Sequence, residues 1–468
     1  MNENPRVRAL FADALAGRIN RRELFRRGAA LGLSAPVVAA LSQETMRGAL
    51  AAEEGDLNVT YYQWIVDLHS PLQQVNEDFA AALEGQGMTL NAEVAPVEGF
   101  GYERFLAEAQ NETSTWDMYI GVTPFLEMIQ LATSGTIEPW DPYLPEGVLD
   151  DITPALREEG MYDGKFYVWP FLLDVIVQGW NAEQVAAAEL DPEVAPKNWD
   201  EFIANATKVQ ESGAARFGAT YDHHAWRSLL PITHSISTDV YDPETGVFLW
   251  NSDAAVEALE IMKRIYEVGN PDLVNPGGSD AGVNDTPDEK AFAAQQACYY
   301  VKYQNAHLRF AGTWPDPSQL RLAALPVQEG GAGGTVFWDT GAVLFTHGAN
   351  KQQGAEYLNA LTHDQRIWEH SVVGNPPDET AVGQLPVYRS LWEEYRANTP
   401  DWLAANPWAF SIYDGLGNAK AIAPSKLSVT QFDLAAPFYV AYLKGEESDA
   451  KTALTKAWDA VMAEYGDE

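Results

Sequence analysis

The 468-residue chain is strongly acidic, with 67 Asp/Glu against 30 Lys/Arg, a formal net charge of −37, one cysteine and an aromatic content of 11%. Nucleic acid is excluded as a partner, because its binding depends on Lys and Arg neutralising phosphates, and an internal disulfide is excluded by the single Cys298. Charge of this size speaks to solubility and leaves the fold open.

The first 52 residues depart from the rest. They hold eight of the Lys/Arg and only four of the Asp/Glu. Arg21-Arg22 precedes an apolar run from Ala29 to Leu41, and Ala49-Leu50-Ala51 offers a small-residue cleavage site. Charged region, short apolar region and cut site in that order make an export signal. The run reaches about 20 Å as a helix, short of the roughly 30 Å hydrocarbon core. The arrangement resembles a twin-arginine signal, although Leu24-Phe25 reverses the usual order, so general secretory export stays open. The expected location is periplasmic or extracellular, either free or held at the membrane by an uncut leader.

Beyond the leader, strand and helix patterns alternate. "LNVTYYQW" from Leu57 reads as a strand through Trp64. Ser70-Pro71 then opens a helix with a capping-box Gln73 and a stripe of Leu72, Val75, Phe79 and Leu83. "LNAEVAPV" is a second strand, "YERFLAEAQ" a helix and "WDMYIGV" a third strand. Further on, Asn251 or Ser252 caps a helix with a stripe of Ala255, Leu259, Met262 and Tyr266. "ACYYVKY" and "RLAALPV" are strands, Gly330 to Gly334 form a loop, "TVFWDTGAVLFT" is a strand, and the chain ends on a helix carrying Leu454, Trp458, Val461, Met462 and Tyr465. Strand–helix–strand in series predicts an α/β fold of mainly parallel, doubly wound sheet, and the length predicts two lobes.

Catalytic signatures are missing. There is no H-E-x-x-H, no G-x-S-x-G and no phosphate-binding glycine loop ahead of a helix. Asp222-His223-His224 reads as a polar loop, since adjacent residues rarely converge on one metal ion. Aromatic residues are abundant instead: fifteen Trp and twenty Tyr, with Trp64, Trp169, Trp180, Trp226, Trp314 and Trp338 near strand ends. Flat rings with polar edges suit a ligand with C–H faces and hydroxyl rims. Two places carry a polar neighbour as well: Trp338-Asp339 after the glycine loop, and Trp169 and Phe171 around Pro170 ahead of Asp174.

Five stretches in order, over about 250 residues, resemble the extracellular solute-binding proteins of sugar-importing ABC transporters, the maltose-binding type. They are "DLNVTYYQW" with "SPLQQVNEDFAAAL", "STWDMYIGVTPFLEMIQLATSGTIEPWDPYLP", "GMYDGKFYVWPFLLDVIVQGWNAE", "PKNWDEFIANATKV", and "NSDAAVEALEIMKRIYE" with "EKAFAAQQACYYVKY". The resemblance implies two α/β lobes of the type II periplasmic binding-protein class with a cleft between them. The expected segments are an export signal at 1–52, first-lobe residues 53–172 and 334–370, and second-lobe residues 173–333 and 371–468. Crossovers are expected near Leu172–Val175 and Gly334–Thr340.

The resemblance also implies ligand contacts from Gln63, Trp64, Asp67 and Asp174, the last four residues after Pro170. Trp169, Phe171, Trp226, Trp338 and Asp339 join the candidate set on their own pattern. Tyr303-Gln304-Asn305 stands where the family often has Gly-Pro-Trp, so Tyr303 is the candidate stacking ring there. Gly121-Val122-Thr123 lacks the family's aromatic and acid, which points away from maltodextrin. The expected function is capture of a di- or oligosaccharide by cleft closure and delivery to the membrane permease of an ABC importer. The chain is expected to act as a monomer, without cofactor, metal or catalysis. Two other readings stay open on the residues: a secreted glycoside hydrolase, and a binder of a charged solute, either a polyamine, which the acidic balance permits, or a phosphate ester, which Lys302, Arg227 and Arg104 would serve.

Overall fold

A computed structural model describes residues 55–95, 102–222, 224–269, 286–375 and 379–467. The export signal expected at 1–52 lies outside the described residues. No helix among those described is long and apolar enough to cross a membrane.

The strands in chain order are β1 (Asp56–Tyr61), β2 (Thr89–Val94), β3 (Met118–Val122), β4 (Ile137–Glu138), β5 (Met161–Tyr162), β6 (Lys165–Phe166), β7 (Trp169–Asn181), β8 (Phe217–Tyr221), β9 (Ala297–Tyr303), β10 (Leu320–Ala323) and β11 (Thr335–Phe345). One sheet runs β2-β1-β3-β11-β7-β9-β8, with β4 on β11 and β10 on β7. Its two ends follow the expected winding: β1 pairs in parallel with β2 and β3, and β8 with β9. The middle does not. β11 is antiparallel to both β3 and β7, and β7 is antiparallel to β9. Parallel order needs a helical crossover at every step, whereas β7 and β11 pass directly between the lobes in opposite directions.

β7 is the member that joins the halves. All thirteen of its residues are buried. Trp169 to Ile176 pair with β11, and Ile176 to Trp180 pair with β9. The partner changes next to Asp174. β11 bends where its register slips at Gly341, and there a Cβ would press on the Trp169 carbonyl at 3.0 Å. Only glycine fits so close a backbone approach.

Local signals account for most elements. The helix Asp253–Val268 starts at Ser252, whose side chain accepts the Ala255 amide, and its predicted stripe of Ala255, Leu259, Met262 and Tyr266 is buried. The "YDGK" stretch is the β5–β6 hairpin: Asp163 and Gly164 both have positive φ, 49° and 71°, as a tight two-residue turn demands. Two expectations fail. The first strand stops at Tyr61, and Gln63–Leu68 form a short helix, because the Tyr62 amide still bonds the Ile120 carbonyl while its own carbonyl already accepts the Ile65 amide. Ser70 does not cap the helix Pro71–Glu84 with its side chain; its hydroxyl donates to Glu379 Oε2 at 2.9 Å.

Two large cores and smaller clusters, one around Phe105, Trp116 and Tyr119, are buried among the described residues. The first gathers Leu57, Ile120, Leu172, Leu344, Trp368 and Trp392; the second gathers Trp180, Phe202, Leu259, Tyr299, Phe432 and Val461. Leu385, Tyr388, Leu403, Ile412 and Leu416 belong to the first core, and the second resumes only at Ile422. Residues from Leu385 to Leu416 thus pack on the first core. The helices Arg389–Ala397 and Trp408–Gly415 cover it.

Candidate ligand-binding cleft

A cavity of about 380 Å³ opens between the lobes above the β7–β11 crossing. Tyr62, Trp64, Asp67 and Leu68 line one wall from the turn and short helix after β1, with Gly121 near the end of β3 and Thr123 just beyond it. Arg227, Tyr303, Asn305 and Arg309 line the other. Asp174, Thr340 and Gln384 form the floor. Residues following strand ends thus make both walls, the usual place for ligands in open α/β sheets.

Asp174 is the buried acid of the floor, 3% exposed. Its Oδ2 accepts the Gln384 amide at 2.9 Å, and its Oδ1 has no partner among the described residues. Burial pushes its carboxyl up to about 7, against the Gln384 hydrogen bond and the charges of Arg309 and Arg227. Gln384 continues the chain inward, its Oε1 standing 2.8 Å from His69 Nε2, which therefore donates. Burial holds the His69 imidazole down at about 4, hence neutral.

The second-lobe wall rests on a buried ion cluster. Lys302 is fully buried, with its Nζ 2.6 Å from Asp222, 2.7 Å from Glu289 and 3.5 Å from Asp288. Asp222, Asp288 and Glu289 raise the Lys302 ammonium against a burial effect that would lower it, while Lys302 and Arg227 hold Asp222 well below the carboxylate range despite its burial. Arg227 lies 3.6 Å from Asp222, 4.2 Å over the Trp226 ring and 5.1 Å from the Tyr303 ring. Strand β9 thus ends with Lys302 anchored inside and Tyr303 facing the cavity.

Of the candidate residues, Trp64, Asp67, Asp174 and Tyr303 meet at this cavity. Gln63 does not line it, but its amide donates to Asp67 Oδ1 at 2.7 Å. Trp226 stands behind Arg227 and packs on Phe125. Trp169 and Phe171 are core residues, both fully buried. Trp169 donates to the Tyr388 hydroxyl and packs edge-on to Trp140, and Phe171 lies against Trp368. Side chains alternate along a strand, so those two share a face that Asp174 does not. The backbone of Trp338 is opposite Asp174 and that of Asp339 opposite Leu173; their side chains lie outside the described set.

Of the other charged candidates, Arg104 binds Glu108 and stacks on Trp116, Lys302 is inside its cluster, and only Arg227 reaches the cavity. Asp222 and His224 bond each other, and among the described residues no group could hold a metal ion. Tyr62, Thr123, Arg309, Thr340 and Gln384 were not foreseen. Asn305 and Arg309 stand four apart on the helix Gln304–Ala311, a spacing that puts both on one face and was available as a signal. Gln384 meets Asp174 across 210 residues, with nothing local to mark it.

The sequence profile of the bacterial extracellular solute-binding proteins matches residues 78–377. The chain belongs to that family. Its members bind solutes for ABC transporters outside the cytoplasm, with a small-molecule ligand and a membrane permease as partners, and the chain is a binding protein and not an enzyme. A putative binding protein of Brucella abortus is 22% identical over 375 residues, spanning 76% of this chain and 82% of that one. A probable amino-acid ABC transporter periplasmic-binding protein of Sinorhizobium fredii is 40% identical over 135 residues, 27% of this chain and 30% of that one. The solved structure of the sugar-binding protein MalE from Xanthomonas citri superposes with a TM-score of 0.68 at 16% identity, covering 87% of this chain and 96% of that one. That likeness concerns the fold, that of type II periplasmic binding proteins.

Proposed function

We propose that this solute-binding protein captures a small carbohydrate, one or two rings in size, by closing its lobes on it, and hands it to the permease of an ABC importer. The observation that carries this is the cavity itself. Both lobes line it, so a ligand touching Trp64 and Asp67 on one side and Tyr303 and Asn305 on the other favours the closed form. A ligand equally at home in open and closed forms would shift nothing. Its volume of about 380 Å³ is at the small end of ligand sites, which range over ~300–1,000 Å³. Indole and phenol rings beside buried acceptors match a molecule with apolar C–H faces and hydroxyl edges. The sugar-binding name of the Xanthomonas neighbour agrees with this reading.

Small-angle scattering on the purified chain tests it. A saturating sugar should reduce the radius of gyration and be recovered intact after hours of incubation. The partial relative named for amino acids motivates a parallel amino-acid panel. Compaction by amino acids, with none by any sugar, would replace the carbohydrate reading.

A further inference from the structure

Three cavity-lining side chains each carry a buried polar atom with no hydrogen-bond partner among the described residues. Arg309 Nε is one, and among the described residues no carboxylate is within salt-bridge distance of its guanidinium, Asp174 acting on it only through its charge. Asp174 Oδ1 and Asn305 Oδ1 are also buried and unbonded, on residues only 3% and 5% exposed. Buried polar atoms are almost always satisfied in native proteins. A donor fork and two acceptors left open around one cavity describe their missing partner. It must present an acceptor matched to a guanidinium and several hydroxyl donors.

We propose that the solute is a sugar acid, a uronic acid or a short oligosaccharide ending in one, whose carboxylate meets Arg309 and whose hydroxyls donate to Asp174 and Asn305. This rests on the carbohydrate reading above and names the class of sugar. A lone hydroxyl oxygen satisfies one N–H of a guanidinium, whereas a carboxylate matches the planar fork with two parallel bonds. A phosphate ester fits less well. Its second charge calls for a further cation, but Arg227 already shares Asp222 with Lys302, and Asp67 and Asp174 face the same cavity. An α-amino acid carries the same carboxylate with an ammonium in place of hydroxyls; ring faces such as those of Trp64 and Tyr303 also attract an ammonium, so the titration includes amino acids as the competing class.

The test is titration calorimetry of the purified chain. The panel is glucuronate, galacturonate and disaccharides ending in them, against their neutral parents, glucose 6-phosphate, alanine and glutamate. At least one uronate should bind tenfold or more tighter than its neutral parent, with the margin shrinking as salt is raised. Arg309→Gln should weaken uronate binding at least tenfold and remove most of the margin; Arg309→Lys, which keeps the charge, should retain a preference for the acid. Thermal melts of both variants separate a binding loss from misfolding. Neutral sugars binding as tightly as the acids would overturn the sugar-acid assignment and leave the carbohydrate reading standing. Glucose 6-phosphate binding tightest would overturn the carboxylate. Amino acids binding while no sugar does, or no binding across the panel, would overturn both.

Discussion

Asp174 sits where burial opposes its charge, with one hydrogen bond from Gln384 and a carboxyl pushed up to about 7. In the unfolded chain it would ionise near 4. Between those values the folded protein holds a proton that the unfolded chain releases, so this residue lowers stability as pH rises from about 4 to 7. Asp174→Asn removes the titration. It should melt above the wild type at pH 8, by the equivalent of a few kcal/mol at ~1.4 kcal/mol per pKa unit, and the gap should close towards pH 4. A gap of equal size at both pH values would show that the group does not titrate there. The same substitution should weaken sugar binding by roughly tenfold, since a charge-assisted acceptor is replaced by a neutral amide. Gly121 makes a complementary case. A Cβ there would stand 2.7 Å from Tyr62 Cβ and would also strike the Tyr119 hydroxyl. Tyr62 thus brings an aromatic residue to a wall whose own strand end carries Gly121-Val122-Thr123. Gly121→Ala should cost about 1–3 kcal/mol by overpacking and lower affinity by displacing Tyr62, readable as a lower Tm and a raised Kd.

At the scale of elements, β9 owes its position to Lys302. One ammonium holds three carboxylates from the ends of two other elements, all of them buried. Lys302→Met keeps the stem and removes the charge, leaving Asp222, Asp288 and Glu289 buried without it. Breaking a buried pair in this way costs ~3–5 kcal/mol, so Tm should fall by roughly 5 °C, at ~1 °C per kcal/mol for a single cooperative unit of this size. A fall of a degree or two would mean the carboxylates simply take up protons. Elements with a local cause were readable from sequence: the Ser252-capped helix, the Asp163-Gly164 hairpin and the seven residues of β9 itself. Readings that failed depended on distant partners. Gln63–Leu68 is helical because β3 ends the pairing of β1 at Tyr61. Ser70 leaves its cap for Glu379, 309 residues away. The candidate site divides in the same manner. Trp64, Asp67 and Tyr303 follow strand ends and were legible, while Trp169 and Phe171 look the same in sequence and were separated only by the face of β7 they occupy. Lys302 read as a candidate anion contact because "YYVKY" does not reveal which way a charged side chain in a buried strand points.

For the whole molecule, β7 contributes buried side chains to both cores: Leu172, Leu173 and Val175 to the first, Ile176 and Trp180 to the second. The lobes should therefore not melt independently. Tryptophan fluorescence and far-ultraviolet circular dichroism should report one coincident thermal transition; two transitions separated by more than about 5 °C would show that each core survives loss of the other. A shared strand is compatible with rigid-body closure. The proposed closure would need a change in only a few backbone angles, where β7 exchanges β11 for β9 and where the β11 register slips at Gly341.

The threading of the chain through the two cores also sets an order on its biosynthesis. The first core draws on residues as early as Leu57 and as late as Leu416, and the second on residues from Phe125 to Val461. A nascent chain that has emerged as far as β9 therefore holds two unfinished halves, each with a sheet edge waiting for a strand or a face waiting for helices not yet made. The first cannot close before Leu416 has emerged, nor the second before Val461. Until then each half exposes apolar surface of the kind that chaperones and proteases recognise, and the helix Ala450–Asp467 completes the second core with Leu454, Ala457 and Val461.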